Sequence, residues 1–535
     1  MAQGQTADDT AFFGHPRGLS TLFFTEMWER LSYYGSRAFL MFYMTYPVVT
    51  GGRGMSDGTA SIVIGLYLSS VYLVSLPGGW IADRFLGQRK SVTIGGIGIT
   101  IGNAMLAMPF DALFYPALVM IAIGTGFLKP NVSTMVGQLY KPDDIRRDAG
   151  YSIYYMGINI GALVAPFIGT FIVQSTGFQH FLAAHGLSPT LCWKFGFGVV
   201  AAGMAAGVVQ YLVGYHSIGE AGLHPTKPSD PRRAARDRVV LVGIVVGLAA
   251  IVGGGFAYDK YVSPISGGSI SLAFGIGLGL ASIAIFIGFY KTARDADERR
   301  RVLAMIPLFL GSIAFFGVFE QASSTLSLFT DRLVNRFYMG IHVSSTAYQA
   351  INSIFVIVLA PVLAWVWLRL MKAGKEPSTV AKFGIGLVFT ALSFAVLLPT
   401  LSTINPVEGV NENYLYAFPF RTVSPNYIIA VYFFSTLAEL CISTVGLSSM
   451  SKLAPARLAG MVMGTWFLGT AIGNFLAGQA AGLSASRGYG FLFYTLIITA
   501  LVLSAAMFAI APAVKRMLAE NERKRPLPEA KAVES

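Results

Sequence analysis

Apolar residues run along this chain in long blocks, and polar residues gather in the short stretches between them. About 20 apolar residues suffice for a helix to cross the hydrocarbon of a bilayer. Such blocks fall at 19–46, 59–82, 91–109, 113–138, 149–174, 193–217, 238–257, 269–290, 302–328, 343–371, 380–400, 425–450, 458–482 and 488–514. The pattern predicts fourteen membrane-spanning helices and an all-α polytopic membrane protein.

The blocks are not equivalent. The seventh and eighth are smooth Gly, Ile, Leu, Val and Ala segments without buried charge. The first carries Glu26, Glu29, Arg30 and Arg37; the fourth carries Lys129, the ninth Glu320 and the twelfth Glu439. Setting the bland pair aside leaves six blocks on either side, the arrangement of two helix bundles around a central cavity. The expected organisation is an N-terminal tail (1–18), a first six-helix bundle (19–217), a linker with two extra transmembrane helices (218–300), a second six-helix bundle (301–514) and a C-terminal tail (515–535). The longest outside connection, Ser402–Asn426, has no domain-sized core.

Composition excludes a soluble protein. Only 12% of the 535 residues are charged, against about 25% in soluble chains, and the mean hydropathy is +0.60. The net charge of +12 raises nucleic acid as a partner, but the placement of the charge argues against it. Lys and Arg cluster in every second connection: 84–90, 141–147, 227–238, 291–301, 369–382, 452–457 and after Ala513. With Arg17, about 29 of the 39 basic residues lie on that side, as the positive-inside rule requires. Both termini are therefore expected in the cytoplasm, with the lipid bilayer as the surrounding partner. The first eighteen residues lack an apolar core, so no cleavable signal peptide is expected. Cys192, Cys441 and the scattered histidines show neither a disulfide framework nor metal-ligand spacing. The glycines at 275–279 and 124–126 lack the strand–loop–helix setting of a nucleotide loop. With no nucleophile–base or zinc constellation either, neither an enzyme nor a bound cofactor is expected.

Charges inside apolar blocks are costly unless they face partners or water. Glu26, Arg30, Tyr33 or Tyr34, and Arg37 recur at three- and four-residue spacing, so they share one face of a helix. Two acids and two bases leave that stripe formally neutral, the wall of a wet pathway for a charged solute. Lys129 lies deep in its block beside Pro130, which frees backbone polar groups; depth argues against its snorkelling to an interface. Glu320 and Glu439 are single acids in apolar runs, candidates for proton exchange or for ion pairs that lock helices together. The first half holds Arg37 and Lys129 and the second Glu320 and Glu439, so pairing across the halves would hold one end of a cavity shut. Tyr72, Asn159, Asn352 and Trp466 also lie inside blocks. Together these residues describe a site for a zwitterion with variable side chains.

The same residues carry a family resemblance. Glu26-Met-Trp-Glu29-Arg30-Leu-Ser-Tyr33-Tyr34-Gly35 resembles the E-x-x-E-R-F-x-Y-Y-G signature of the proton-dependent oligopeptide transporters (POT, also called PTR), which belong to the major facilitator superfamily. Residues 78–87 and 154–161 are similar to the family's second- and fifth-helix signatures, and Glu320-Gln321 and Trp466-Phe467-Leu468 match two further positions. An extra helix pair between the bundles is similar to bacterial members. The resemblance implies the major facilitator fold and import of di- and tripeptides with protons across the bacterial inner membrane, with peptide-like drugs as further cargo. The proton would be the coupling ion. Proton coupling falls to Glu26, Glu29, Arg30 and Glu320. Arg37 and Lys129 would meet the peptide carboxylate, and Glu439 with Asn159 and Asn352 its amine. Tyr33, Tyr34, Tyr72 and Trp466 would line side-chain pockets, with Arg37–Glu320 and Lys129–Glu439 as gating pairs. Leu31 replaces the signature Phe; Ser353 and Thr444 stand where many relatives carry proline, which bears on how far the tenth and twelfth spans bend. The rival cargo is another anionic or zwitterionic solute such as nitrate. A membrane-embedded enzyme lacks its constellation here, and a receptor its signalling domain.

Overall fold

The computed structural model describes residues 9–141, 144–225, 232, 235–243, 246, 268–338, 340–404, 423–453 and 459–524. In the first half, α1 spans Arg17–Thr45, α2 Asp57–Ile81, α3 Gln88–Ala107, α4 Phe114–Gln138 and α5 Arg147–Val164. A short α6 (Thr176–Ala184) precedes α7 (Cys192–Val213). α8 (Gly268–Thr292) lies in the expected linker. The second half holds α9 (Ala296–Phe319), α10 (Thr325–Leu333), α11 (Ala350–Lys372), α12 (Thr379–Ala395), α13 (Pro425–Leu453) and α14 (Ala459–Lys524). Gly488, at φ +81°, bends α14 in its interior, so one helix accounts for two expected blocks. Among the described residues, ten helices are long and apolar enough to cross a membrane. The charged α1, of 29 residues, and the glycine-rich α3, of 20, are further long helices. The expected seventh block, 238–257, and the connection 402–426 lie largely outside the described residues.

Helices begin where the sequence supplies a side-chain acceptor for an orphan amide. Ser56 accepts from the Thr59 N–H at 3.2 Å and Asp295 from the Glu298 N–H at 2.7 Å. Two blocks expected to be continuous are interrupted. The ninth breaks at Glu320–Ser323, a single 3₁₀ turn between α9 and α10. Thr325 donates to the Gln321 side chain at 2.9 Å and Ser327 to the Ala322 carbonyl at 2.6 Å; such local bonds compete with the helical ladder. The fifth changes at Pro166 into a short helical turn and then a π turn, Gly169–Val173. By contrast α11 runs through Ser353, carrying its proline at Pro361, and α13 is continuous over 29 residues through Thr444.

Among the described residues, buried apolar side chains form one large cluster drawn almost wholly from α1–α7, and three others centred on the second half. The halves meet along α2 against α14 and α5 against α11. Small residues permit that approach: a Cβ on Gly65 would sit 2.7 Å from the Cα of Gly478, and one on Gly478 equally close to Gly65. Overpacking a tight contact costs about 1–3 kcal/mol. Gly65→Leu should therefore lower the thermal unfolding midpoint in detergent, whereas Gly277→Leu, where an added Cβ meets nothing within 4 Å, should not.

Candidate functional site

The polar stripe of α1 is buried: Glu26 and Glu29 are each 1% exposed, and Arg30 is 3% exposed. Arg30 Nε lies 3.3 Å from Glu26 Oε1 and is also paired with Glu29. The Tyr154 hydroxyl, from α5, donates to Glu26 Oε2 at 2.7 Å. Glu26 is thus held from two sides. Glu29 Oε1 and one Arg30 nitrogen, Nη2, are buried without a hydrogen-bond partner. The Arg30 guanidinium lies over the Tyr33 and Tyr34 rings at 4.9 and 5.8 Å. A buried polar atom left open beside a charge is where exchange with a proton or water is expected.

Two turns further along α1, Arg37 crosses to the second half. It is ion-paired with Glu320, and both side chains are buried. Arg37 Nε donates to Ser323 Oγ, and the Ser323 hydroxyl donates to Glu320 Oε2 at 3.3 Å. The 3₁₀ turn that interrupts the ninth block therefore presents both Glu320 and Ser323 to one guanidinium.

Beside this pair lies a cavity of about 100 Å³. Its polar lining comes from both halves: Tyr34, Arg37, Tyr155 and Asn159 from the first, Asn352 and Glu439 from the second. Glu439 Oε2 accepts from Asn352 Nδ2 at 3.1 Å, and the same amide donates to Thr436 at 3.0 Å. Asn159 donates to the Tyr155 carbonyl at 2.9 Å. Tyr155 was not singled out from the sequence, although it stands one helical turn before Asn159. Ser435 and Tyr432, also lining residues, stand four and seven positions before Glu439, the spacing of one helix face.

The structure does not bring every expected partner together. Lys129 and Glu439 do not pair; the Lys129 ammonium sits 4.2 Å from the Tyr72 ring centroid and 6.0 Å from that of Phe467. Tyr72 and Phe467 stack at 6.4 Å. Trp466 packs in the core of the second half, edge-on to Phe316 and Phe383, and is not among the residues lining the cavity. Its neighbour Phe467 takes the position facing α2 and Lys129. Tyr33 is 3% exposed, and its hydroxyl has no partner.

Beyond Arg37, toward the end where α1 finishes, a polar network joins the halves. Arg332 forks onto Asp57, with one bond at 2.8 Å. The Tyr46 hydroxyl donates to Asp331 Oδ2 at 2.8 Å, and Arg336 and Ser345 donate to Asp331 Oδ1. Gln174 donates to Ser345 at 2.7 Å, and Gln349 to the Ala38 carbonyl at 3.1 Å. Nothing in the sequence pattern singled out Asp57, Asp331 or Arg332, because charges beside connections read as solvated. Among the described residues, the side-chain bonds between the halves gather at this end. The cavity is therefore closed on the side away from the chain termini.

A helical membrane protein with an ionic, aromatic cavity between two halves is the build of a transporter. The POT family profile (PTR2) matches residues 89–490. The chain is 35% identical over 512 residues to the uncharacterized transporter YclF of Bacillus subtilis (strain 168), covering 95% of this chain and 96% of that one. It is 35% identical to the di-/tripeptide transporter of Lactococcus lactis subsp. lactis (strain IL1403), covering 87% and 89%. A crystal structure of the peptide transporter POT in complex with sulfate, as a mutant, superposes with a TM-score of 0.83 at 36% identity, covering 96% of this chain and 98% of that one. The chain belongs to the POT family and has the major facilitator fold; the family's members are membrane transporters, not enzymes.

Proposed function

We propose that this protein is a proton-coupled symporter that imports di- and tripeptides by alternating access. The observation that carries the reading is the buried Arg37–Glu320 pair, which joins the halves beside a cavity holding Glu439, Asn352, Asn159 and Tyr34. The two bundles, 19–217 and 301–514, rock about that cavity, and the segment 218–300 bridges them. Glu439 and the two asparagines take the peptide amine. Arg37 and Lys129 take the carboxylate, Lys129 from its perch over Tyr72. Tyr33, Tyr34 and Tyr72 contact side chains, with Phe467 in place of Trp466. Protonation of Glu29 or Glu320 loosens its basic partner, peptide termini engage, and release on the far side resets the pairs. Lys129 and Glu439 meet only in the state opposite to the one seen. The proton is the coupling ion, with no other cofactor. The basic connections put both termini in the cytoplasm of a bacterial inner membrane, so the closed end described above faces outward. The Lactococcus lactis relative named for di- and tripeptides supports this cargo. Peptide-like drugs with both charged termini fit the same site.

The test is uptake of labelled dipeptide by purified protein in liposomes under an imposed pH step. Uptake is expected to follow the step, and blocking either peptide terminus should raise the half-inhibitory concentration at least tenfold. Uptake indifferent to pH, or nitrate competing as well as a tripeptide, would overturn the reading. Tyr72→Ala removes the ring beneath Lys129, a contact worth about 0.5–2 kcal/mol. It should raise the half-saturating dipeptide concentration by roughly two- to thirtyfold at about 1.4 kcal/mol per tenfold.

A further inference from the structure

The end of the molecule that carries the chain termini has a second recess, remote from the central cavity. It is a groove of about 480 Å³ where α3 begins and α7 ends, lined by Lys90, Thr93, Ile94, Leu212, Tyr215 and His216. We propose that it binds the headgroup and upper acyl carbons of an anionic glycerophospholipid in the leaflet at that end.

The groove is built rather than incidental. Arg89, 4% exposed, turns inward: its Nε donates to the Ala221 carbonyl at 2.8 Å and a second nitrogen to the Gly219 carbonyl. Its guanidinium lies 4.7 Å from the Tyr215 ring centroid, and Tyr211 meets the same ring edge-on at 5.7 Å. Arg89 is thereby consumed in pinning the start of α3 to the segment after α7, with Tyr215 fixed as a rigid wall. The adjacent Lys90 is left exposed, as is His216 across the groove. Neither has a hydrogen bond or ion pair among the described residues, and no acidic side chain lines the recess. Two cationic or protonatable groups without a counter-charge, over an aromatic wall, suit a phosphodiester.

The apolar side of the groove distinguishes a lipid from a soluble anion. Ile94 and Leu212 are 48% and 46% exposed. Below them, exposed Ile97 and Ile101 continue along α3, and exposed Val209 along α7. Lys90 and His216 therefore stand at the head of an apolar track that faces the hydrocarbon of the bilayer. Basic pockets between transmembrane helices at the headgroup level are recognised sites for acidic lipid headgroups.

Native mass spectrometry of the full-length protein, delipidated and exposed to an equimolar mixture of phosphatidylglycerol and phosphatidylcholine, tests the proposal. Phosphatidylglycerol adducts are expected at least fivefold over phosphatidylcholine. Each basic group near an acidic lipid surface is worth about fivefold in affinity, so Lys90→Gln with His216→Gln should erase the preference. Lys372→Gln, an exposed lysine elsewhere, should not. Thermal unfolding checks that the double variant is folded, and dipeptide uptake in phosphatidylcholine liposomes should be unchanged by it. Equal retention of the two lipids, or a preference surviving in the folded double variant, would overturn the proposal. So would displacement of the lipid by glycerol 3-phosphate at matching concentration, which would mean a site for a soluble anion.

Discussion

Arg37→Ala is expected to open the end of the protein that its ion pair now holds shut. Arg37 is 8% exposed and Glu320 4%, so removing the guanidinium strands a buried carboxylate. Breaking a buried pair from one side costs about 3–5 kcal/mol. At about 1.4 kcal/mol per factor of ten, a shift of that size moves the equilibrium between closed and open forms by roughly two to four orders of magnitude. Spin labels at Val49 and Phe337, exposed by 86% and 65% near that end on opposite halves, report the change as a lengthened distance distribution. The free cysteines Cys192 and Cys441 are first replaced by Ala.

A double variant separates the pair from mere loss of bulk. Arg37→Ala with Glu320→Gln leaves no orphaned charge, and the neutral amide can still accept from Ser323. The closed population should return most of the way to wild type, because the cost of the single variant lies in the stranded carboxylate. The outer bonds from Arg332 to Asp57 and from Tyr46 to Asp331 remain in both variants. The Arg332–Asp57 pair is less buried, with 23% of the Asp57 side chain exposed, so it is worth less than the inner pair. If neither variant opens, closure resides in that outer network instead; if both open equally, the lost Arg37 side chain and not the stranded carboxylate is responsible.

Much of this site was legible because a charge in an apolar block is an anomaly with few explanations. Glu26, Arg30, Tyr33 or Tyr34, and Arg37 announce their shared face by spacing alone. The complementary signs of the two halves predict cross-half pairing. Rotation about a helix axis is harder to read when the helix is apolar all round. Trp466 and Phe467 point about 100° apart, and no polar face near them says which looks inward. The Lys129–Glu439 pairing does not appear here; in the proposed cycle it belongs to the opposite state, and one sequence encodes every such state while a structure holds one. The Asp57–Arg332 clamp joins residues 275 apart, and neither end breaks a local rule. The bend at Glu320 was hidden because its polar run, Glu-Gln-Ala-Ser-Ser, is short enough to pass inside an apolar block.

Glu29→Gln should abolish gradient-driven accumulation while sparing exchange. Glu26 and Glu29 share the Arg30 guanidinium, but they are not equally free to take a proton. Glu26 also accepts the Tyr154 hydroxyl at 2.7 Å, so protonating it there disturbs a second bond. Glu29 Oε1 has no partner, and a proton can bind it while the other oxygen keeps Arg30. Glutamine preserves the shape and an acceptor for Arg30 but cannot exchange a proton. One proton moving down 100 mV supplies about 2.3 kcal/mol, which supports roughly fiftyfold accumulation at 1.4 kcal/mol per tenfold. In liposomes with an imposed potential and pH step, Glu29→Gln should reduce that ratio to about one. Counterflow of labelled against unlabelled dipeptide needs the rocking of the bundles but no net proton movement, so it should stay within about threefold of wild type. Loss of both activities would make Glu29 a structural partner of Arg30. Full accumulation by the variant would move proton uptake to Glu320, where Ser323 already supplies a hydroxyl to the carboxylate.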